Sequence, residues 1–141
     1  TEGKSTAPLV KKLSRDGLKL NITAILTAGQ VKAVARALDP ATPSIVSVFA
    51  GRIADTGRDP VPVMKESVRI LESNQHAELL WASTRELLNL VQAASCGCHI
   101  ITITNDILKK VPQVGKDLDV LSLETVQMFY NDAQSAGYKI R

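Results

Sequence analysis

Strict alternation is the feature that most limits what this chain can become. Four short apolar runs, "LKLNITAIL", "SIVSVF", "AELLWAS" and "HIITIT", are each followed by a polar turn and then a stretch with helical periodicity. The runs are rich in β-branched and aliphatic residues, as strands are. Ahead of the first, "STAPLVKKLSRDG" places Leu9, Val10 and Leu13 at helical spacing, and Gly17 suits the left-handed close of that helix. "TAGQVKAVARAL" sets Val31, Val34, Ala35 and Leu38 on one face, and "VMKESVRILES" does the same with Val63, Val68, Ile70 and Leu71. "TRELLNLVQAASCG" is a further helix, ending near Gly97. The stretch "AGRIADTGRDPVP", rich in Gly, Asp and Pro, is expected to be a loop. "NDILKKV" is expected to start a short helix capped by Asn105 or Asp106, and "LSLETVQMFYNDAQSAG" to form a last helix with Ser122 as N-cap.

Strands that are nearly continuous apolar runs are expected where both faces of a sheet are buried, which is the pattern of βα units on a parallel sheet. Two architectures satisfy it: an open doubly wound sheet and a (β/α)8 barrel. The open sheet with a nucleotide site calls for a glycine-rich first turn. Neither G-x-G-x-x-G nor G-x-x-x-x-G-K-[ST] occurs, so that option loses its best support.

At 141 residues the chain is long enough for one domain with a core, and no linker or low-complexity segment divides it. Residues 1–141 are therefore expected to form a single domain portion. The 45% apolar and 4% aromatic content favours aliphatic packing between helices and strands. The net charge of +3 is spread with both signs interspersed, and there is no basic run, so nucleic acid is not an expected partner. No apolar stretch approaches the ~18 residues of a membrane span, and no secretory signal opens the chain. Cys96 and Cys98 flank one glycine, too few ligands for a zinc site, and are expected to be small packed residues in a reducing cytoplasm. His76 and His99 lie on different elements, and no metal site is expected. Asp55 and Asp59 are expected to belong to a solvated turn.

In parallel α/β folds, ligands bind at the C-terminal ends of the strands. Asn21 and Thr23 stand in the first strand, Ser47, Phe49 and Arg52 at the end of the second, Ser83 and Arg85 after the third, and Thr102 and Thr104 in the fourth. Hydroxyls and arginines thus gather at one end of otherwise apolar strands. Arg52 and Arg85 follow neighbouring strands. A guanidinium fork with a serine hydroxyl matches a phosphate. The same arginines are equally explained as surface residues paired with Asp55 or Glu86. Asn21 and Thr23 share a parity, so both point to one face, and an inward polar pair needs a partner.

These residues resemble a family. "KLNITAIL" is similar to the N-[LIV]-T-x-[LIV] strand of transaldolases. "SVFAGRIAD" resembles their S-[PV]-[FY]-x-G-R-[IL]-x-D segment, "WASTR" their A-S-[FT]-R, and "ITITNDIL" their I-T-[LI]-x-x-x-[IL]. The leading "TEGKST" resembles the T-x-E-G stretch after their catalytic lysine strand. The ordered set covers nearly the whole chain. The resemblance implies a (β/α)8 enzyme that moves a dihydroxyacetone unit from a ketose phosphate to an aldose phosphate through a lysine Schiff base, with no organic cofactor. It implies that Arg52, Ser83 and Arg85 hold the substrate phosphate, and that Asn21 hydrogen-bonds the donor unit. It further implies that Thr23 positions a proton-shuttling water and that Ser47 and Phe49 line the pocket. The related fructose-6-phosphate aldolases tend to carry Tyr at the position of Phe49, which has no proton to give. The alternatives are an aldolase-like enzyme and a non-catalytic module that binds phosphate esters.

The family's Schiff-base lysine lies on the strand before the T-x-E-G stretch, upstream of Thr1. The chain is therefore expected to be the C-terminal four to five βα units of a barrel, inactive alone. Its expected partners are the missing N-terminal half or further copies of itself, because a part-barrel leaves sheet edges and one face open. Lys4 falls at a helix start and Lys19 at the N-terminal end of the first strand, so neither is expected to replace the nucleophile. Val48 stands where the family often has Pro.

Overall fold

A computed structural model describes residues 3–138. Thr1 and Glu2 of the "TEGKST" stretch lie outside the described residues. The chain divides into two compact units, Thr1–Lys109 and Lys110–Arg141.

In the first unit, helix α1 (Ala7–Arg15) carries Pro8 in its first turn, where an amide proton has no intrahelical partner to lose. It closes at Gly17, with φ 79°, as the Leu18 amide donates back to the Leu13 carbonyl at 3.1 Å. Strand β1 (Leu20–Ile25) leads into α2 (Ala28–Ala37) through a reciprocal cap. The Gln30 amide donates to Thr27 Oγ1 at 3.2 Å, and the Thr27 amide donates to Gln30 Oε1 at 3.0 Å. Then follow β2 (Ser44–Val48), α3 (Ala50–Ala54), α4 (Val61–Leu71), β3 (Ala77–Trp81), α5 (Leu88–Cys96), β4 (Ile100–Ile101) and α6 (Asn105–Leu108).

The strands pair in parallel in chain order, β1-β2-β3-β4. A doubly wound sheet reverses its order at a switch point and carries helices on both faces. Here there is no reversal. Moreover α1, α2, α4 and α5 form one layer in which each helix packs on the next. Val46, Val48, Leu79 and Trp81 lie under that layer with no exposed surface, packed with Val31 and Met64. Sequential parallel strands beneath a single helix layer are the wall of a (β/α)8 barrel, and the fold is α/β of that class.

Register then settles which residues share the opposite face. Asn21 pairs with Ile45 and Ile45 with Glu78, while Ser47 pairs with Leu80 and Leu80 with Ile100. Successive side chains alternate across a strand, so this set turns away from the unit's helices.

Several boundaries differ from those expected. Ala50–Ala54 is helical rather than loop, and α4 starts at Val61, with the Asp59 carboxylate accepting from the Val61 amide at 2.9 Å. Of "HIITIT" only Ile100–Ile101 forms strand. Helix α6 has Thr104 at its N-cap position, not Asn105 or Asp106.

The second unit contains a 3-10 turn at Val111–Gln113 and helix α7 (Leu118–Ser135). The Asp117 carboxylate caps α7, accepting from the amides of Asp119 and Val120, both at 3.0 Å. The helix therefore starts before Ser122, since a side-chain acceptor sits ahead of it just after Gly115. No described helix is long and apolar enough to cross a membrane.

Candidate functional site

The face turned away from the helices holds a polar pair. Ser47 Oγ donates to Asn21 Oδ1 at 2.6 Å, which ties β2 to β1 and leaves the Asn21 amide nitrogen as a donor. Ser47 is buried, whereas Asn21 and Thr23 are exposed. Beyond Asn21 the strand bulges. Ile22 pairs with Val46 and Ile25 with Val48, three steps on β1 against two on β2. Both isoleucines can then turn to the helix side while Thr23 and Ala24 turn outward. Ala24 takes up the irregularity at φ 60°, a left-handed conformation that residues with a Cβ rarely adopt. Thr23 borders a cavity of about 390 Å³ beside the outer edge of β1, shared with Lys4, Thr6 and Gln30.

At the end of β2 the Phe49 amide donates to the Ile25 carbonyl at 2.8 Å, and α3 begins. The Arg52 guanidinium lies over the Phe49 ring, 5.6 Å from its centre, a cation–π contact. Arg52 also borders a second cavity of about 390 Å³, with Thr27 and Arg58.

Gly51 explains how α3 meets β3. Its amide donates to the Ala82 carbonyl at 3.3 Å. A Cβ on Gly51 would lie 1.5 Å from the Ser83 carbonyl oxygen and 3.2 Å from Arg85 Cγ. Only glycine permits this approach. Ser83, at φ 66°, is the second non-glycine residue in the left-handed region.

One turn along α3, the Asp55 amide donates to the Gly51 carbonyl at 2.9 Å, so Asp55 shares the face that abuts Ser83 and Arg85. Its carboxylate receives Arg85 Nε at 2.9 Å and Nη2 at 2.5 Å, a two-pronged pair. The hydrogen bond from Arg85 chiefly holds the Asp55 carboxyl below its usual range, with the charges of Arg85 and Arg52 adding to it and desolvation opposing. The pair is open to solvent, with Arg85 and Asp55 side chains 47% and 51% exposed. Behind it, buried Asn89 accepts from the amides of Arg85 at 2.9 Å and Glu86 at 3.2 Å, and donates to Gln92 Oε1 at 2.9 Å. Thr84 Oγ1 donates to the Thr102 carbonyl at 2.6 Å.

The structure thus brings Asn21 together with Ser47, Arg52 with Phe49, and α3 with Ser83 and Arg85. Asp55 feels both arginines. Asp59 does form a turn, and Asp55, about half exposed, is the partner of Arg85, as the surface-pair reading of that arginine expects. The four-residue step from Gly51 that presents Asp55 rather than Glu86 to Arg85 is visible only once α3 is known to be a helix. Gly51 and Thr84 stand inside the quoted family segments without a role of their own, and Asn89 outside them, because all three act on backbone groups, which a side-chain motif does not announce.

His99 serves the sheet: its Nδ1 accepts from the Leu79 amide at 3.0 Å. Cys96 is buried and Cys98 half-buried, both free thiols. Among the described residues no cluster of three His, Cys, Asp or Glu is placed to hold a metal ion.

The family model described as transaldolase/fructose-6-phosphate aldolase matches residues 4–140. A probable transaldolase of Thermoanaerobacter sp. (strain X514) is 32% identical over 132 residues, covering 93% of this chain and 57% of the relative. A probable transaldolase of Clostridioides difficile (strain 630) is 33% identical over 132 residues, with the same 93% and 57% coverage. One from Clostridium acetobutylicum is 35% identical over 103 residues, 72% of this chain and 46% of the relative. The chain spans about half the length of the curated relatives it matches. A match across residues 4–140, on a barrel wall that carries the expected segments in order, means that the chain belongs to the transaldolase/fructose-6-phosphate aldolase family.

Proposed function

We propose that this chain is the phosphate-binding, C-terminal portion of a single (β/α)8 barrel that transfers a dihydroxyacetone unit between sugar phosphates through a lysine Schiff base. The observation that carries the proposal is the junction of α3 with the end of β3, where Gly51 abuts Ser83 and Arg85, and Asp55 takes the Arg85 guanidinium and feels the charge of Arg52. Two guanidiniums against one carboxylate leave that corner net positive, which suits a phosphate dianion.

In this reading the nucleophilic lysine is supplied by a strand outside this chain. Its amine condenses with the donor ketone, and the imine accepts the electron pair released when the C–C bond breaks. Asn21, fixed by Ser47 through Oδ1, presents its amide nitrogen to a donor hydroxyl. Thr23 holds the water that moves the proton. Phe49 walls the pocket beneath Arg52 and has no hydroxyl to act as an acid, which favours transfer to an aldehyde acceptor over simple aldol cleavage. The partners are sugar phosphates and the rest of the barrel or further copies. The place is the cytoplasm, in carbohydrate metabolism of the pentose phosphate type. On its own the chain lacks the nucleophile and is inactive.

Borohydride trapping with fructose 6-phosphate, followed by peptide mass mapping, tests this. The expected adduct is on a lysine outside residues 1–141. An adduct on Lys4 or Lys19 would place the nucleophile within the chain. Binding of the phosphate ester with no adduct on any chain would favour a non-catalytic module.

A further inference from the structure

We infer that Asp55 is a positioning residue for anion binding: it holds the Arg85 guanidinium by one edge so that the opposite edge faces the phosphate. The inference rests on the proposed role of Arg85 in binding a phosphate ester. Nε and Nη2 of Arg85 are both directed at Asp55, at 2.9 and 2.5 Å. Nη1 and the second Nη2 proton remain, the pair of donors that a phosphate oxygen or two would take. Gly51 makes the arrangement possible. Without a Cβ it lets α3 lie against the Ser83 carbonyl, and the next turn of the helix carries Asp55 to Arg85. Asn89 holds the backbone end of Arg85 through its amide, so the side chain is fixed at its root and at its head.

An aspartate beside two arginines has an obvious competing role. As a negative charge in a site for anions, it would weaken phosphate binding simply by repulsion. The two roles predict opposite signs for one substitution. Asp55→Asn removes the charge and keeps the shape. If Asp55 only repels, the variant binds phosphate more tightly. If Asp55 orients Arg85, the variant binds more weakly although the site has become more positive.

The test uses the full-length protein, with inorganic phosphate and fructose 6-phosphate as probes, in four forms: unaltered, Asp55→Asn, Asp55→Glu and Arg85→Ala. Asp55→Asn is expected to raise the phosphate Kd and the substrate KM by about two- to five-fold, the range of an exposed ion pair, with kcat unchanged. Asp55→Glu, which keeps the carboxylate, is expected to recover part of the loss. Tighter or unchanged phosphate binding in Asp55→Asn, with Arg85→Ala clearly weakened, overturns the positioning role and leaves the proposed function intact. No loss in Arg85→Ala removes the phosphate role of Arg85 itself, and the inference falls with it. A fall in kcat at constant KM in Asp55→Asn also overturns it, since orienting a phosphate ligand acts on binding.

Discussion

Cys98 shows how far the surroundings of one side chain can move its chemistry. Burial, and secondarily the neighbouring Cys96, push the Cys98 thiol up to about 12. At pH 8 the thiolate is then about one part in ten thousand, and alkylation by iodoacetamide should be far slower than for a free cysteine. Mass spectrometry of the native protein after timed labelling checks this. Modification of Cys98 at the rate of the unfolded chain would show the thiol to be open. The same shift sets a pH window for stability. The folded state favours the neutral thiol, so its contribution is whole below the reference value of 9.0 and is lost as pH rises toward about 12. Unfolding midpoints of Cys98→Ala should therefore be less sensitive to pH in that window. Asp55 runs the other way. Its carboxyl is held below 3.8 by Arg85 and Arg52, so its contribution is present above that value and disappears as pH falls further. A carbon-13 titration of the Asp55 carboxyl should have its midpoint below 3.8, and Arg85→Ala should return it upward. The loss of that displacement is the signature of the pair. The sequence offered Asp55 and Glu86 alike as partners for the arginines, and nothing local separates the two.

At the scale of elements, α3 is the instructive case. Five residues, Ala-Gly-Arg-Ile-Ala, form one turn that local propensity alone would not hold, since short isolated helices do not form in water. Tertiary contact supplies the rest: Ala50, Gly51 and Ile53 are buried, and Gly51 donates to the Ala82 carbonyl. Helices α1, α2 and α4 were legible because their apolar residues recur at helical spacing. The bulge in β1 was not, because it depends on what pairs with Ile22 and Ile25 across the sheet. Two glycine substitutions separate tertiary from local control. Gly51→Ala would drive its Cβ into the Ser83 carbonyl, so α3 or the Ser83 turn must move, at a cost of about 1–3 kcal/mol or more. Gly29→Ala, in the first turn of α2, meets nothing closer than Thr27 Oγ1 at 3.8 Å, and should be neutral or stabilising by up to about 1 kcal/mol. Urea unfolding midpoints of the two variants should move in opposite directions, or the first alone should move. Equal shifts would mean that the close approach of α3 to Ser83 does not exist.

For the molecule as a whole, the decisive property is asymmetry between the two faces of the sheet. Alternating strands and helices suit a doubly wound sheet and a barrel equally, so the periodicities left both open; the missing glycine-rich turn weakened the first, and the motif resemblance pointed to the barrel. Strand order and the single helix layer decide it, and neither is a local property of any segment. The helix side carries the packed core. The other side carries Asn21, Ser47 and Glu78 among apolar neighbours, polar groups that a core meant only for stability would not place there. This asymmetry is measurable at Leu79, which is on the helix side with no exposed surface and belongs to the core cluster. Leu79→Ala removes methyl groups from a fully buried member of that cluster, paired across the sheet with Val46, and should cost about 2–5 kcal/mol. Leu9→Ala, at a side chain 56% exposed on α1, should stay within about 0.5 kcal/mol. The single tryptophan, Trp81, is fully buried on the same side, so its fluorescence in a urea titration reports the unfolding of that core directly. If Leu79→Ala shifted the Trp81 transition no more than Leu9→Ala does, the tightly packed face would not be the one beneath the helices, and the assignment of the opposite face to substrate would lose its basis.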